Sequence, residues 1–257
     1  MKLVDAFLKY FTYLLMAFTY LPIAVVIVFS FNSSRTSLTF QGFTLDNYIN
    51  LISDTRVWIA WYNSVWIAIV VMVISLICGF LMAYAVVRYS FRGKDIIDIF
   101  ALIPIIIPEI VEALTLLLTF VMLKIPLSPL TIIIGHLVWD IGYVYVVLKS
   151  ALAMYKKEYE EAAWTMGADE LQTFTKVTIP ILMPSILSAG LIAFLMSYDD
   201  FIKTYFTKPA GFEILPVYIF TQAARRGYSL TLNALASLVT IVALIFAYIR
   251  IKLMGGE

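Results

Sequence analysis

Glu161-Ala162-Ala163-Trp164-Thr165-Met166-Gly167, continued at fixed distance by Val177-Thr178-Ile179-Pro180, is a polar, helix-forming island between two long apolar runs. From Lys156 to Gly167 the segment is charged at its start and rich in helix formers. Gly167 suits the residue just past a helix end, because glycine takes a left-handed backbone without steric cost. Asp169 stands at an N-cap position and Gln172 follows three residues later, as in a capping box, so a second helix is expected to start there. The expectation is a helical hairpin over residues 150–180. Ala162 and Ala163 expose little side chain and let another surface approach the backbone closely. Glu161 can meet a basic group and Trp164 can fill a pocket. The plainer reading is an ordinary connector between spans.

The runs on either side decide the class. The chain has 257 residues, of which 62% are hydrophobic, and its mean hydropathy is +0.94. That is far above the apolar share of soluble domains. Six stretches meet the length of about 20 residues needed to cross a bilayer core: Tyr10 to Ser34, Val57 to Val87, Ile99 to Leu123, Ile125 to Leu148, Val177 to Tyr198, and Gly227 to Ile249. The runs are continuous rather than alternating, so helices are expected, each satisfying its own backbone hydrogen bonds in lipid. The fold class is an all-α membrane protein of six transmembrane helices, a single transmembrane domain over 1–257. The first run is too long for a signal-peptide core and lacks a small-residue cleavage site, which predicts a retained anchor.

Lysine and arginine in short loops favour the cytoplasmic side. With both termini inside, Lys2, Lys9, Arg88, Arg92, Lys94, Lys149, Lys156, Lys157, Lys176, Arg250 and Lys252 face the cytoplasm. Arg35, Arg56, Lys124, Lys203, Lys208, Arg225 and Arg226 then lie outside, and the hairpin between spans four and five lies inside. Gly93-Lys94 is not a phosphate-binding loop, because Arg88 occupies the earlier glycine position and Asp95 follows. Zinc-type His clusters, a nucleophile elbow and a spaced Cys–His pair are also lacking, so no enzymatic activity and no cofactor are expected. Cys78 is the single cysteine, which excludes an intrachain disulfide. The dispersed basic residues give no support for nucleic-acid binding.

Acids inside or beside the apolar runs are the candidates for a solute path, since ionisable groups in lipid usually face a bundle interior or a cavity. Glu109 and Glu112 follow Pro104 and Pro108, where missing amides can open or kink the helix, and their spacing puts them on one face. Asp140 lies four residues after His136, so the two are expected to pair along one helix. Asp199 and Asp200 end the fifth run. Such carboxylates suit a cation, with no matching base expected inside the spans. Their plainer reading is structural: a helix-stabilising pair, capping of freed backbone donors, or solvated end residues. Trp58, Trp61 and Trp66 read as interfacial anchors, and Lys203 to Arg226 as an outer loop with a short apolar element.

The order EAA, three residues, Gly, nine residues, then Val177, Thr178, Ile179 and Pro180 resembles the EAA loop of ABC importer permeases. Segments over nearly the whole length are similar to the PotC-type permeases of spermidine and putrescine importers. They include Ser30-Phe31-Asn32-Ser33-Ser34-Arg35, Arg88-Tyr89-Ser90-Phe91-Arg92-Gly93-Lys94, Pro108-Glu109-Ile110-Val111, Leu182-Met183-Pro184, Ser197-Tyr198-Asp199-Asp200, Glu213-Ile214-Leu215-Pro216 and Asn233-Ala234-Leu235-Ala236. Glu109 stands where the family has Asp, and Asp140-Ile141-Gly142 replaces an apolar segment ending in Pro.

The resemblance implies a type I importer (MetI-like) architecture in a bacterial or archaeal cell membrane. It implies a second homologous permease, two copies of an ATP-binding subunit and an extracytoplasmic substrate-binding protein. Contact with the ATPase would fall on Glu161, Ala162, Ala163, Trp164 and Gly167. Glu109, Glu112, Asp140, Asp199 and Asp200 would line the polyamine path. A permease for iron, thiamine or an oxyanion, or an ion-driven secondary transporter, are the alternatives. The latter leaves the hairpin unexplained.

Overall fold

A computed structural model describes residues 2–34, 39–226 and 230–254. Arg35 and Gly227, assigned above to an outer loop and to the head of the last span, lie outside the described residues. In chain order the helices are α1 (Lys2–Phe29), α2 (Asp46–Ser53), α3 (Thr55–Arg88), α4 (Lys94–Ile106), α5 (Glu109–Met122), α6 (Pro129–Met154), α7 (Glu158–Thr165), α8 (Glu170–Thr173), α9 (Ile179–Asp199), α10 (Ile202–Thr207), α11 (Leu215–Arg226) and α12 (Leu230–Met254). A π-helical turn, Phe174–Thr178, joins α8 to α9. Two compact units result, one holding the chain up to Trp58 and from Tyr218 onward, the other running from Ile59 to Val217.

Among the described residues, α1, α3, α6 and the continuous stretch Glu170–Asp199 are long and apolar enough to cross a membrane. The expected third span, Ile99 to Leu123, is not one helix: α4 and α5 meet at 106° and form a broken span or re-entrant pair. Sequence chemistry explains the break. Ile107 precedes a proline and is therefore driven to extended backbone, which it adopts at φ −72°, ψ 135°. Pro108 also lacks the amide that would continue the ladder. Helix α12, Leu230–Met254, runs through most of the expected last span.

In the first unit α12 packs against α1 and α2. The Ser30-Phe31-Asn32 segment is held as a knot of polar contacts. Asn32 donates to Thr39 O at 2.8 Å and accepts from Gln41 N at 2.9 Å, while Asn47 donates to the carbonyls of Ser30 and Asn32. Asp54 precedes α3. Partial burial pushes its carboxyl up, but hydrogen bonds from Arg56 and from Tyr218 at 2.9 Å outweigh that and leave it below its ordinary value.

In the second unit α6 is the central helix, flanked by α4, α9 and α10. Ser128 starts it, with its amide donating to Thr131 Oγ1 at 2.9 Å and Pro129 in the first turn. Val144, Tyr145, Leu148 and Leu152 are buried against Ala83, Val86, Ala101, Ala189 and Ala193. Where lipid tails are as apolar as leucine, such small residues gain contact by close backbone approach. Ile132 and Ile133 join a second cluster with Ile67, Val71, Ile214 and Val217. Trp66 packs partly buried against that cluster, and Trp58 and Trp61 are exposed. The segment expected as an outer loop, Lys203 to Arg226, holds most of α10 and all of α11.

Candidate functional site

Two clusters carry chemistry, both within the second unit. The first is the hairpin. Helix α7 ends as expected: Gly167 has φ +88°, its amide donates to Trp164 O and that of Ala168 to Ala163 O. Asp169 caps α8 by accepting from Gln172 N at 2.7 Å. Glu161 is exposed, with only a loose contact to Lys157 one turn earlier. Trp164, Met166 and Leu171 show 42%, 89% and 71% of their surface. These apolar groups and the carboxylate of Glu161 lie open on the same hairpin.

The sequence reading missed the residue beneath this surface. Glu160, one position before the motif, is buried, and its Oε1 accepts from Arg88 Nη2 at 3.1 Å and from Thr178 Oγ1 at 2.9 Å. The Arg88 guanidinium lies 4.9 Å from the centre of the Tyr155 ring. Thus α7 is tied to the end of α3 and to the π turn. The adjacent carboxylates have opposite duties, since α-helical geometry turns Glu160 inward and Glu161 outward.

The second cluster surrounds the broken span. Lys203, expected in a solvated outer loop, is buried, correcting the view that no base accompanies the inner acids. Its Nζ contacts Asp200 Oδ2 at 2.7 Å and Glu109 Oε1 at 2.9 Å, and stands 4.2 Å from the Trp139 ring centre. The Trp139 indole N–H donates to Pro104 O. That carbonyl is the one whose helical donor Pro108 cannot supply. One side chain therefore satisfies the break with its edge and holds an ammonium on its face.

His136 does not pair with Asp140. Its Nδ1 is 2.8 Å from Ser197 Oγ and its Nε2 is 2.9 Å from Thr204 Oγ1 and 3.3 Å from Asp200 Oδ1. Contacts from α9 and α10 outcompete the neighbour one turn along α6. Asp200 Oδ1 also accepts from Thr204 N at 2.9 Å. Asp140, 2% exposed, has Oδ2 without a partner among the described residues, and both oxygens of Glu112, 8% exposed, are likewise unpartnered. Four carboxyls thus stand near one ammonium and one imidazole. Asp199 is exposed and lines an open groove with Glu109, Trp139 and Asp200. No group of His, Cys, Asp and Glu able to hold a metal occurs among the described residues.

Comparison with known proteins gives the family. The model of the "binding-protein-dependent transport system inner membrane component" matches residues 75–254. The chain is 32% identical over 229 residues to the spermidine/putrescine transport system permease protein PotC of Escherichia coli K12, covering 89% of this chain and 86% of that one. It is 33% identical over 251 residues to the putrescine transport system permease protein PotI of the same organism, covering 94% and 89%. In fold it is similar to a chain of a bacterial ABC transporter that imports the acidic polysaccharide alginate, with TM-score 0.73 and 16% identity over 98% of this chain and 96% of that one.

Proposed function

Because the chain belongs to the family of binding-protein-dependent transport system inner membrane components, a multi-pass membrane permease rather than an enzyme, we propose that it forms half of an ATP-driven import path for polyamines. The observation that carries the substrate is the surplus of carboxyls at one place, with Glu112, Asp140 and Asp200 buried, Glu109 half-buried and Asp199 exposed beside them. A buried carboxyl is costly to ionise without a partner, and a multiply charged amine passing the groove supplies one. The names of the relatives, with their spermidine and putrescine substrates, support the same class.

The second half is a homologous permease, and an extracytoplasmic binding protein delivers the solute. Both termini face the cytoplasm, as does the hairpin. Two ATP-binding subunits stand below, one of them receiving Trp164 and Met166 in an apolar cleft and Glu161 against a basic group, while Ala162, Ala163 and Gly167 allow close approach. Closure of the nucleotide-binding subunits pushes on α7 and biases the spans between inward and outward openings.

The test is uptake of radiolabelled spermidine and putrescine into vesicles carrying the coexpressed subunits. Glu161→Lys is expected to abolish uptake and to release the ATPase on purification. Trp164→Ala, which empties an anchor worth about 2 kcal/mol or more, is expected to weaken ATPase binding about 30-fold. Glu109→Gln is expected to lower uptake while the ATPase still copurifies. Absence of polyamine uptake in the wild type, with ATPase stimulated by a different solute and binding protein, overturns the polyamine assignment and leaves the permease standing.

A further inference from the structure

The Lys203 side chain ends in a primary alkylammonium, and its surroundings show how this protein holds that group. Two carboxylates contact it, Asp200 at 2.7 Å and Glu109 at 2.9 Å, and the Trp139 ring stacks at 4.2 Å. Charge-assisted hydrogen bonds and an aromatic face are the two means by which proteins bind amines. The arrangement borders a groove of about 550 Å³ lined by Glu109, Trp139, Leu195, Asp199, Asp200 and Ile202. The Lys203 side chain is only 3% exposed, but Glu109 is 29% exposed. An amine moving along the groove therefore meets Asp199 and Glu109 before it meets Lys203.

We propose that Lys203 is a displaceable internal occupant of an amine site formed by Glu109, Asp200 and Trp139, and that a substrate ammonium takes its place during passage. This rests on the polyamine reading and adds to it the atoms that bind the amine and the residue that competes for them. Two features beyond the ammonium cage support exchange rather than a fixed salt bridge. Lysine is a point charge on a flexible four-carbon stem, unlike the rigid fork of arginine. The buried, unpartnered oxygens of Glu112 and Asp140 offer a second berth for the displaced ammonium. The exchange swaps like for like, so the buried charge stays balanced while the substrate occupies the site and Lys203 rebinds once it leaves. His136, held by Ser197, Thr204 and Asp200, keeps Asp200 in place throughout.

The test uses the assembled complex in nanodiscs without the binding protein, so that delivery does not mask affinity at the membrane site. Binding of radiolabelled putrescine is measured for the wild type, Lys203→Met and Lys203→Arg. With Lys203 in place at least nine-tenths of the time, its removal is expected to tighten putrescine binding by about tenfold or more. Lys203→Arg is expected to stay at the wild-type level or bind more weakly, and Lys203→Met with Glu109→Gln is expected to lose the gain. A Lys203→Met complex that assembles and binds putrescine no more tightly overturns the proposal.

Where that variant assembles poorly, n-propylammonium chloride is expected to restore its yield and thermal stability, and sodium chloride at equal strength is not. Failure of this rescue overturns the proposal as well. The rescue uses a simple monoamine, so it separates failure of the site from failure of the polyamine assignment, which wild-type uptake decides.

Discussion

Glu160→Ala is expected to cut ATP-dependent uptake by about a hundredfold and to loosen the ATPase from the complex, although the substituted residue touches no partner. The carboxylate that disappears is buried, and it leaves Arg88, whose side chain is only 13% exposed, without its ion partner. Breaking a buried pair from one side costs about 3–5 kcal/mol, because the remaining charge is left uncompensated. Here the cost falls on the attachment of α7 to α3 and to Thr178. The exposed face carrying Glu161 and Trp164 then loses its fixed position even though every residue of it is unchanged. Hydrogen exchange checks this directly, since amides of Glu158–Thr165 should exchange faster while those of α6 stay protected. A double replacement, Glu160→Leu with Arg88→Met, is expected to recover much of the loss. Apolar groups of similar volume often match a buried ion pair in stability, and the coupling between the two sites is read from the double-mutant cycle.

The second large effect lies at Gly142. A Cβ added there would stand 2.4 Å from the carbonyl oxygen of Ala101 and 3.5 Å from Ile105 Cδ1. The first of these is backbone and cannot swing aside, so α4 must move away from α6. Overpacking of this kind costs about 1–3 kcal/mol and at times more. Gly142→Val is therefore expected to reduce membrane yield severely and to lower the midpoint of thermal unfolding in detergent, with Gly142→Ala intermediate. Gly135 on the same helix is the control. Its added Cβ meets nothing nearer than Leu116 Cδ1 at 3.5 Å, ordinary contact distance. Gly135→Ala is expected to be neutral or to stabilise by up to about 1 kcal/mol through helix propensity. Equal damage at both positions would remove the close-approach explanation.

Local chemistry made part of this legible. Gly167 and Asp169 act within four residues of themselves, and the structure gives both the expected roles. The apolar runs announced α1, α3, α6 and α9 because lipid rewards length and composition, properties any window of sequence contains. Boundaries drifted by a few residues, as at α6, which starts at Pro129 and continues to Met154. Pro104 and Pro108 signalled an irregularity, but the 106° angle between α4 and α5 was not legible, and the contacts that accompany it, from Trp139 and from α10, lie distant in sequence.

The same limit explains the ion cluster. The i, i+4 spacing of His136 and Asp140 is a local hint, and Ser197, Thr204 and Asp200 overrode it from 61 to 68 residues away. Counting positive charges placed Lys203 in water, since counting treats a lysine after an apolar run as a loop residue. Asp200, three residues earlier, was the clue to its true location, because an acid and a base one turn apart can enter the interior as a pair. Glu160 gave no such clue: in Glu160-Glu161 nothing local says which carboxylate turns inward.

The broken span also bears on how long a newly made copy survives. Helices α4 and α5 have 13 and 14 residues, about 20 Å each, against a hydrocarbon core of about 30 Å. Irregular backbone at that depth is tolerated only when it is covered by protein or faces water. Ile106 at the bend is 78% exposed and Ile107 is 37% exposed. The bend is therefore expected to need one of two settings, cover by protein or an aqueous lining such as the groove beside Glu109. Cover by a partner subunit predicts that copies made in excess of that partner are cleared faster from the membrane, which pulse-chase labelling with and without the neighbouring subunits checks.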